Sequence, residues 1–483
     1  MEKLKYKTYS WDKEFEIKGY FSDDKTKVIS NDCNSGTLSY SHGEIVLEIF
    51  GEFPNNDVIS YDFGRPIDKI YGFDSSGKLL ILESYGKPLG TDSTPGFPIR
   101  RYKIKNFKIF DIHYQWTADG NTKDFGTQLV ALINQLEDTK VQYYQFSFDH
   151  IEEWIGKSIV SAERDIEQSD FSINVNISDY KSTKVMIDSE GIIFEDAAGY
   201  NFLYDNFYLE EFYKIKLSSQ DELKLSLDKC YDISKKIKEL IEILSDIPLS
   251  FINIEFLIEK RLDNNWPIIT GKYFVQHSRK QSSWDRHKLH HISLAKLHDN
   301  FYVILNNWFN KSEKLEFIVR EYSANLHALQ YLEDQFIDSI RNLEVYARNF
   351  RSKVNNQNDD IEDKEKQKIF AFINSNIDKK FQNKFRKRLS FKRKDNNLKE
   401  KLMNLFENIP NELNKRLFKK KTISEVVDKL YDSRNYFIHG DKKTKYKNLV
   451  TDFNEMYTLQ ILCQEVLRYY IFIELGLEDY EEY

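Results

Sequence analysis

The sequence predicts an α+β protein: an N-terminal antiparallel all-β, sandwich-like domain, a helical connector, and a C-terminal helical bundle. Three observations carry this. Apolar residues alternate or cluster over strand-length segments in the first two hundred or so residues. The apolar period then changes to steps of three and four. Beyond the histidine-rich stretch at 284–298 the chain reads as helical almost throughout. The divisions follow as 1–220 (β-rich), 221–310 (mixed helical connector) and 311–483 (helical). Two or three domains also suit a length of 483 residues.

In the β-rich part, GEIVLEIFGEF (43–53), KIYGF (69–73), KLLILESYG (78–86) and YQFSFDHIEEWIG (144–156) carry the strand pattern. Turn signals separate them: NDCNSG, PNND, DSSGK, PLGTDSTPGFP and TADGNTKDFG. Five of the eight prolines precede residue 100, where turns need them. Short, closely spaced strands favour an antiparallel sheet over parallel βαβ units. GTDSTPGFP (90–98) reads as a loop, and it lacks the lysine of a phosphate-binding loop.

In LKLSLDKCYDISKKIKELIEILSDI, Leu225, Leu227, Ile233, Ile237, Leu240, Ile241 and Leu244 fall on or near one helical face, and Pro248 ends the run. Residues 249–275 return to a mixed, partly stranded character. Steps of three and four through LEFIVREYSANLHALQYLEDQFIDSIRNLEVYARNF predict one long amphipathic helix over 315–350. SKVNNQNDDIEDKE (352–365) is polar and reads as a loop. The final helix, about 451–475, is apolar on most sides, as expected of a helix inside a bundle.

Composition narrows the function classes. With 41% hydrophobic and 15% aromatic residues, the chain can bury cores and is not of the disordered class. Cys33, Cys230 and Cys463 are scattered and odd in number, which argues against a disulfide framework or a cysteine-rich zinc site and suits a reducing cytosol. The first residues lack the apolar core of a signal peptide, and no apolar run approaches a membrane span of ~20 residues. A cytoplasmic protein with no membrane partner is expected. The net charge is −7, yet residues 376–421 hold 16 basic and 5 acidic side chains. RNA is one natural partner for such a stretch; a solvated surface helix is the other reading.

The chemistry is concentrated in ISEVVDKLYDSRNYFIHG (423–440). Ile423, Val426, Val427 and Leu430 form an apolar face, with Arg434 four residues after Leu430 on that side. His439 is four residues after Asn435, and Gly440 is suited to end the helix. A histidine there sits where the helix dipole favours a cation. Together an arginine and a histidine can handle a phosphodiester, the first by holding phosphate oxygens and the second by moving protons, without a metal or other cofactor. By spacing alone the favoured reading is an arginine pairing with carboxylates and a histidine satisfying the last helix carbonyls.

RNYFIHG resembles the Arg-(polar)-x3-His signature of the HEPN superfamily, in which the motif lies late in a small helical bundle, after a long helix and before an apolar one. Asn435 matches the polar position after the arginine. The resemblance extends to ApeA-like anti-phage defence proteins, which join a β-rich domain to a C-terminal HEPN ribonuclease domain. It is carried by GYF (19–21), LSYSHGEIVLEIFGEF, IYGFDSSGKLLILES, SFDHIEEWIG and NFYVILNNWFNKSEKLEFIVREY. It implies a metal-independent endoribonuclease of abortive infection that halts translation, leaving 2′,3′-cyclic phosphate ends, with transfer RNA as the favoured target. It also implies a phage-derived trigger and a homodimer or higher oligomer formed through the HEPN domain. Carried over, His439 is the general acid or base, Arg434 the phosphate clamp and Asn435 an orienting hydrogen-bonder. The alternative is a non-catalytic RNA-binding or regulatory HEPN module.

Further residues are weighed in the same way. Lys380, Lys384, Arg386, Lys387, Arg388, Lys392, Arg393 and Lys394 are candidates for RNA backbone contact. Phe381, Phe385 and Phe391 between them suit core anchors better than base-stacking platforms. Glu344 could orient Arg434 across the bundle, but an ordinary surface carboxylate is the favoured reading. His287 and His291 stand i, i+4 but lack a third ligand, so a polar linker is favoured over zinc and no metal site is assigned.

Overall fold

The computed structural model describes residues 9–28, 30–51, 53, 66–94, 97–112, 125–167, 170–203, 208–220, 224–258, 269–277, 292–297, 300–327, 330–351, 367–388, 398–419 and 421–477. They form two compact units, 1–309 and 310–482.

The first unit is built on antiparallel strands: β1 (Phe15–Ser22), β2 (Asn34–Ser41), β3 (Glu44–Phe50), β4 (Ile67–Asp74), β5 (Leu79–Thr94) and β6 (Phe97–Ile112). Their pairing, β6-β3-β2-β1-β4-β5 with β5 also bonded to β6, closes a six-stranded barrel. Alternation decides what fills it. Ile45, Leu47 and Ile49 of β3 are fully buried, and Leu47 and Ile45 sit opposite Leu38 and Tyr40 of β2. A register slip of one residue would turn this apolar row to the other face. The β4–β5 turn is closed by the Asp74 carboxylate, which accepts from the backbone N–H groups of Ser76 and Lys78 at 2.8 Å, with Gly77 at φ +86°.

β6 is long enough to serve two sheets. With β5 along one edge of β6, the Ile99–Lys103 stretch of the other edge pairs with β3 and its Asn106–Ile112 stretch with β16 (Ile269–Val275). From there an open sheet continues through β15 (Phe251–Ile258), β8 (Tyr143–Phe148), β13 (Tyr208–Ser219), β12 (Ile192–Leu203) and β11 (Lys184–Ile187). Helix α3 (Leu227–Ser245) buries Ile233, Ile237, Leu240, Ile241 and Leu244, and its Ser234 meets Tyr144 of β8 at 3.0 Å. The β-rich region is thus a barrel running into an open antiparallel sheet.

Two sequence expectations change here. Residues 221–310, set apart as a connector, supply α3, β15 and β16, and the two strands lie in the sheet interior with hydrogen-bonded neighbours on both edges. Residues 90–98, read as a loop, are largely strand: Gly90 to Thr94 pair with Arg101 to Phe97.

The second unit is helical: part of α5 (Phe301–Leu326), α6 (Leu332–Tyr346) with a π turn (Ala347–Arg351), α7 (367–376), α8 (Lys379–Arg388), α9 (Leu398–Glu407), α10 (Asn411–Phe418), α11 (Ile423–His439) and α12 (Phe453–Leu475). The long helix expected over 315–350 is two helices. Asn349 donates to the Lys314 carbonyl at 2.9 Å and the Arg341 guanidinium lies 4.5 Å from the Phe317 ring centre, so α5 and α6 form an antiparallel hairpin. In one continuous helix residues 314 and 349 would stand about 52 Å apart. No glycine or proline interrupts 312–351, and the apolar spacing carries across the break, so only the packing reveals it.

α12 lies along α6. Tyr346 stacks on Tyr470 at 5.2 Å and donates to Glu474 at 2.9 Å, and Tyr470 donates to the Leu405 carbonyl of α9 at 2.5 Å. Leu402, Phe406, Val426, Val427, Leu430, Cys463 and Val466 complete the core. Among the described residues no helix is long and apolar enough to cross a membrane.

Candidate active site

α11 carries the motif, and its ends are well defined. Thr422 and Glu425 form a reciprocal capping box at the start. At the finish Gly440 adopts φ +63° and donates to the Tyr436 carbonyl at 2.9 Å, which makes His439 the last helical residue. The chain beyond is tied back onto the helix. Val450 N–H donates to Ser433 Oγ at 3.0 Å and Asn448 N–H to Asp432 at 2.9 Å. Tyr446 donates to Asp441 at 2.7 Å, and Lys445, which also pairs with Asp441, holds that carboxyl below its ordinary range.

Because Leu430 is buried in the core, Arg434 one turn later emerges half-buried from the same face. Its Nη2 donates to Glu344 Oε2 of α6 at 3.3 Å and its Nη1 to Asn435 Oδ1 at 3.3 Å. The Nε–H is buried and has no hydrogen-bond partner among the described residues. Glu344, favoured from sequence as an ordinary surface carboxylate, instead pairs with Arg434 across the bundle. Its side chain is 23% exposed, so the pair is only partly shielded from water.

This pair borders a cleft of about 500 Å³ between α5, α6 and α11. Lys314, Phe317 and Arg320 of α5, and Arg341, Glu344, Arg348 and Asn349 of α6 and its π turn, line it with Arg434. Glu313 and Glu316 complete its charged wall. Sequence reasoning missed Arg341 and Arg348. The signal was present, since they stand three before and four after Glu344, one helical turn to either side.

His439 is exposed and does not line the cleft. Five residues separate it from Arg434, which turns the two side chains about 140° apart around the helix. Asn435 lies between them, bonded to Arg434 and one turn before His439.

Of the proposed RNA-contacting cations, Lys380 and Lys384 are exposed on α8. Arg386, Lys387 and Arg388 lie in its last turn, and Lys392, Arg393 and Lys394 fall outside the described residues. Phe381 and Phe385, expected as core anchors, are instead 47% and 48% exposed, since no element among the described residues covers that face of α8. Phe391, His287 and His291 lie outside the described residues.

The family model for ApeA N-terminal domain 1 matches residues 16–308, and that for the Apea-like HEPN domain matches 337–481. The chain belongs to the ApeA family. Its C-terminal unit is accordingly a HEPN helical bundle, and α11 of that bundle holds the Arg434–His439 motif. ApeA and HEPN domains connect the chain with defence and with nuclease activity directed at RNA. Neither a curated protein nor a solved structure matches it.

Proposed function

We propose that this ApeA-family chain is a metal-independent endoribonuclease of anti-phage abortive infection, with transfer RNA as its favoured substrate. The observation that carries the reading is the anchored guanidinium. Glu344 and Asn435 hold Arg434 at the edge of a cation-lined cleft, on the helix that ends in His439. In the reaction the RNA's 2′-hydroxyl attacks the adjacent phosphorus and the bond to the 5′-oxygen breaks. The products are a 2′,3′-cyclic phosphate and a 5′-hydroxyl. Arg434 stabilises charge gathering on the non-bridging oxygens, and His439 takes or returns a proton as general base or acid. The scheme requires no cofactor. Lys380, Lys384, Arg386, Lys387, Arg388, Lys392, Arg393 and Lys394 hold the RNA backbone. Since Arg434 and His439 diverge around α11, the motif of a second copy completes each site, giving a homodimer or higher oligomer through the HEPN domain. The β-rich unit is the sensor for a phage-derived trigger, and the protein acts in the cytoplasm as a toxin on its host's translation.

The test compares wild type and His439→Ala on total bacterial RNA in EDTA, with product ends mapped. The expected result is discrete fragments with cyclic phosphate ends, reduced at least about 100-fold in the variant. A second reading, a non-catalytic RNA-binding or regulatory HEPN module, is favoured by the exposure of His439 away from the cleft. RNA bound by the wild type but left intact, in lysate from phage-infected cells as well as in buffer, would select it.

A further inference from the structure

We propose that Phe381 and Phe385 of α8 form a stacking platform for unpaired nucleotides of the substrate RNA. The inference rests on the RNA reading above and extends it from the phosphates, held by basic side chains, to the bases. Its basis is a pair of aromatic rings left in water on a strongly basic helix. Both rings are about half-exposed, and they stand four residues apart on one face of α8. Residues 379–394 hold nine basic side chains and no acidic one. A surface of this charge attracts a polyanion, and every nucleic-acid base has a π face for a ring to cover.

α8 is fixed at its start. The Phe381 N–H donates to the Asp378 carbonyl at 2.8 Å, and the Gln382 side chain donates to the Asn374 and Ile377 carbonyls at 3.3 and 2.9 Å. Gln382 therefore faces the end of α7, whose Ile373 is buried. At 3.6 residues per turn, Phe381 and Phe385 project about 60–100° to one side of Gln382. Four residues advance a helix by about 6 Å, and a base held between two rings needs them about 7–8 Å apart. The pair suits one base gripped from both sides. Lys380 Nζ lies 6.0 Å from the Phe381 ring centre, within reach of the phosphate of a nucleotide stacked there. Duplex RNA hides its base faces in the helical stack, so the platform selects loops and single-stranded ends. A lipid surface is the poorer fit, because two rings in ten residues make too narrow an apolar face to bury among headgroups.

The full chain carrying His439→Ala, which keeps the probe intact, is titrated with a single-stranded oligoribonucleotide containing 2-aminopurine. An RNA duplex and vesicles of equal parts phosphatidylglycerol and phosphatidylcholine are titrated in parallel. All three titrations are repeated after adding Phe381→Ala, Phe385→Ala or both. The platform predicts single-strand binding about tenfold weaker per ring removed, with loss of the 2-aminopurine quenching that stacking produces. Duplex binding should stay within about twofold, and the slope of log affinity against log salt should not change, because the rings carry no charge. Tyrosine at both positions should restore affinity and quenching. Lys384→Ala is the opposite case: both RNAs should bind more weakly, with a slope smaller by about 0.7 on the single strand. Single-strand binding that is absent or indifferent to both rings overturns the platform; where the duplex is still bound, the ribonuclease reading stands. Equal weakening of both RNAs together with a lowered denaturation midpoint assigns the rings to packing and also overturns it. Failure to bind either RNA, with or without ring-dependent binding to the vesicles, overturns the platform and the RNA reading together. Ring-dependent RNA binding by a wild type that leaves RNA uncut supports the platform and counts against the ribonuclease alone.

Discussion

In the proposed reaction Arg434 has to do two things that pull against each other: stay fixed while half-buried, and keep donors free for a phosphate. Its geometry answers with division of labour. Asn435 takes Nη1 and Glu344 takes Nη2, each at 3.3 Å, so the plane of the guanidinium is set while other N–H bonds remain. A 3.3 Å bond is long for a charge-assisted one, which suits a partner that must yield as substrate charge arrives. Glu344→Gln keeps the shape and removes the charge. With both side chains about a quarter exposed, the stability cost should stay within about 1 kcal/mol. RNA cleavage should fall by roughly tenfold, about 1.4 kcal/mol, as the arginine loses its anchor. A denaturation curve and a cleavage rate on the same preparation separate the two effects. A large stability loss would instead make Glu344 a structural pair.

At the scale of elements, α11 is positioned by its ends and by one buried stripe. The stripe of Val426, Val427 and Leu430 gives the helix its rotation about its axis, and the cap at Thr422 and the turn at Gly440 give it its length. Thr422→Ala removes the acceptor for the Glu425 N–H and leaves that helix start unsatisfied. A loss of about 1 kcal/mol is expected, read as a lower denaturation midpoint with an unchanged slope. Because the cap lies four turns from His439, the cleavage rate of the folded fraction should not change. The hairpin of α5 and α6 acts differently. Its two helices run antiparallel, which brings Phe317 opposite Arg341 and creates a cleft wall that one straight helix could not form.

The molecule as a whole carries a pH signature in its sheet. Glu255 of β15 feels burial, which pushes its carboxyl up, but Lys214, Asn253 and Lys272 outweigh this and hold it at about 2. Lys272 lies on the neighbouring strand β16 and Lys214 on β13, one strand further across the sheet beyond β8, so the group ties together strands that are far apart in the chain. A depressed carboxyl contributes stability that is complete above its ordinary range near 4.5 and is lost as pH falls from there toward 2. With Glu255 a quarter exposed, roughly 2–3 kcal/mol is at stake. Urea denaturation between pH 6 and pH 2.5 should show this decline in the wild type and a shallower one in Glu255→Gln. Parallel curves for the two proteins would remove Glu255 from the account.

The parts legible in the sequence are those governed by neighbours along the chain. Alternation in GEIVLEIFGEF fixes which side chains enter the barrel, the three-and-four spacing of α3 and α11 fixes their buried faces, and Gly440 places the end of α11 next to His439. The Arg434, Asn435 and His439 motif is of this kind, since six consecutive residues of one helix determine its internal geometry. What the tertiary structure alone decides is set by residues distant in sequence. Closure of the barrel, the place of β15 and β16 inside the sheet, and the fold-back between α5 and α6 have no local marker; 312–351 contains neither glycine nor proline. Phe381 and Phe385 match a core pattern and are nevertheless exposed, because burial depends on whether another surface arrives. The pairing of Glu344 with Arg434 spans ninety residues. The physical reason is common to all of these: period and capping are properties of one segment, whereas packing is a free energy shared between segments, and no single segment contains it.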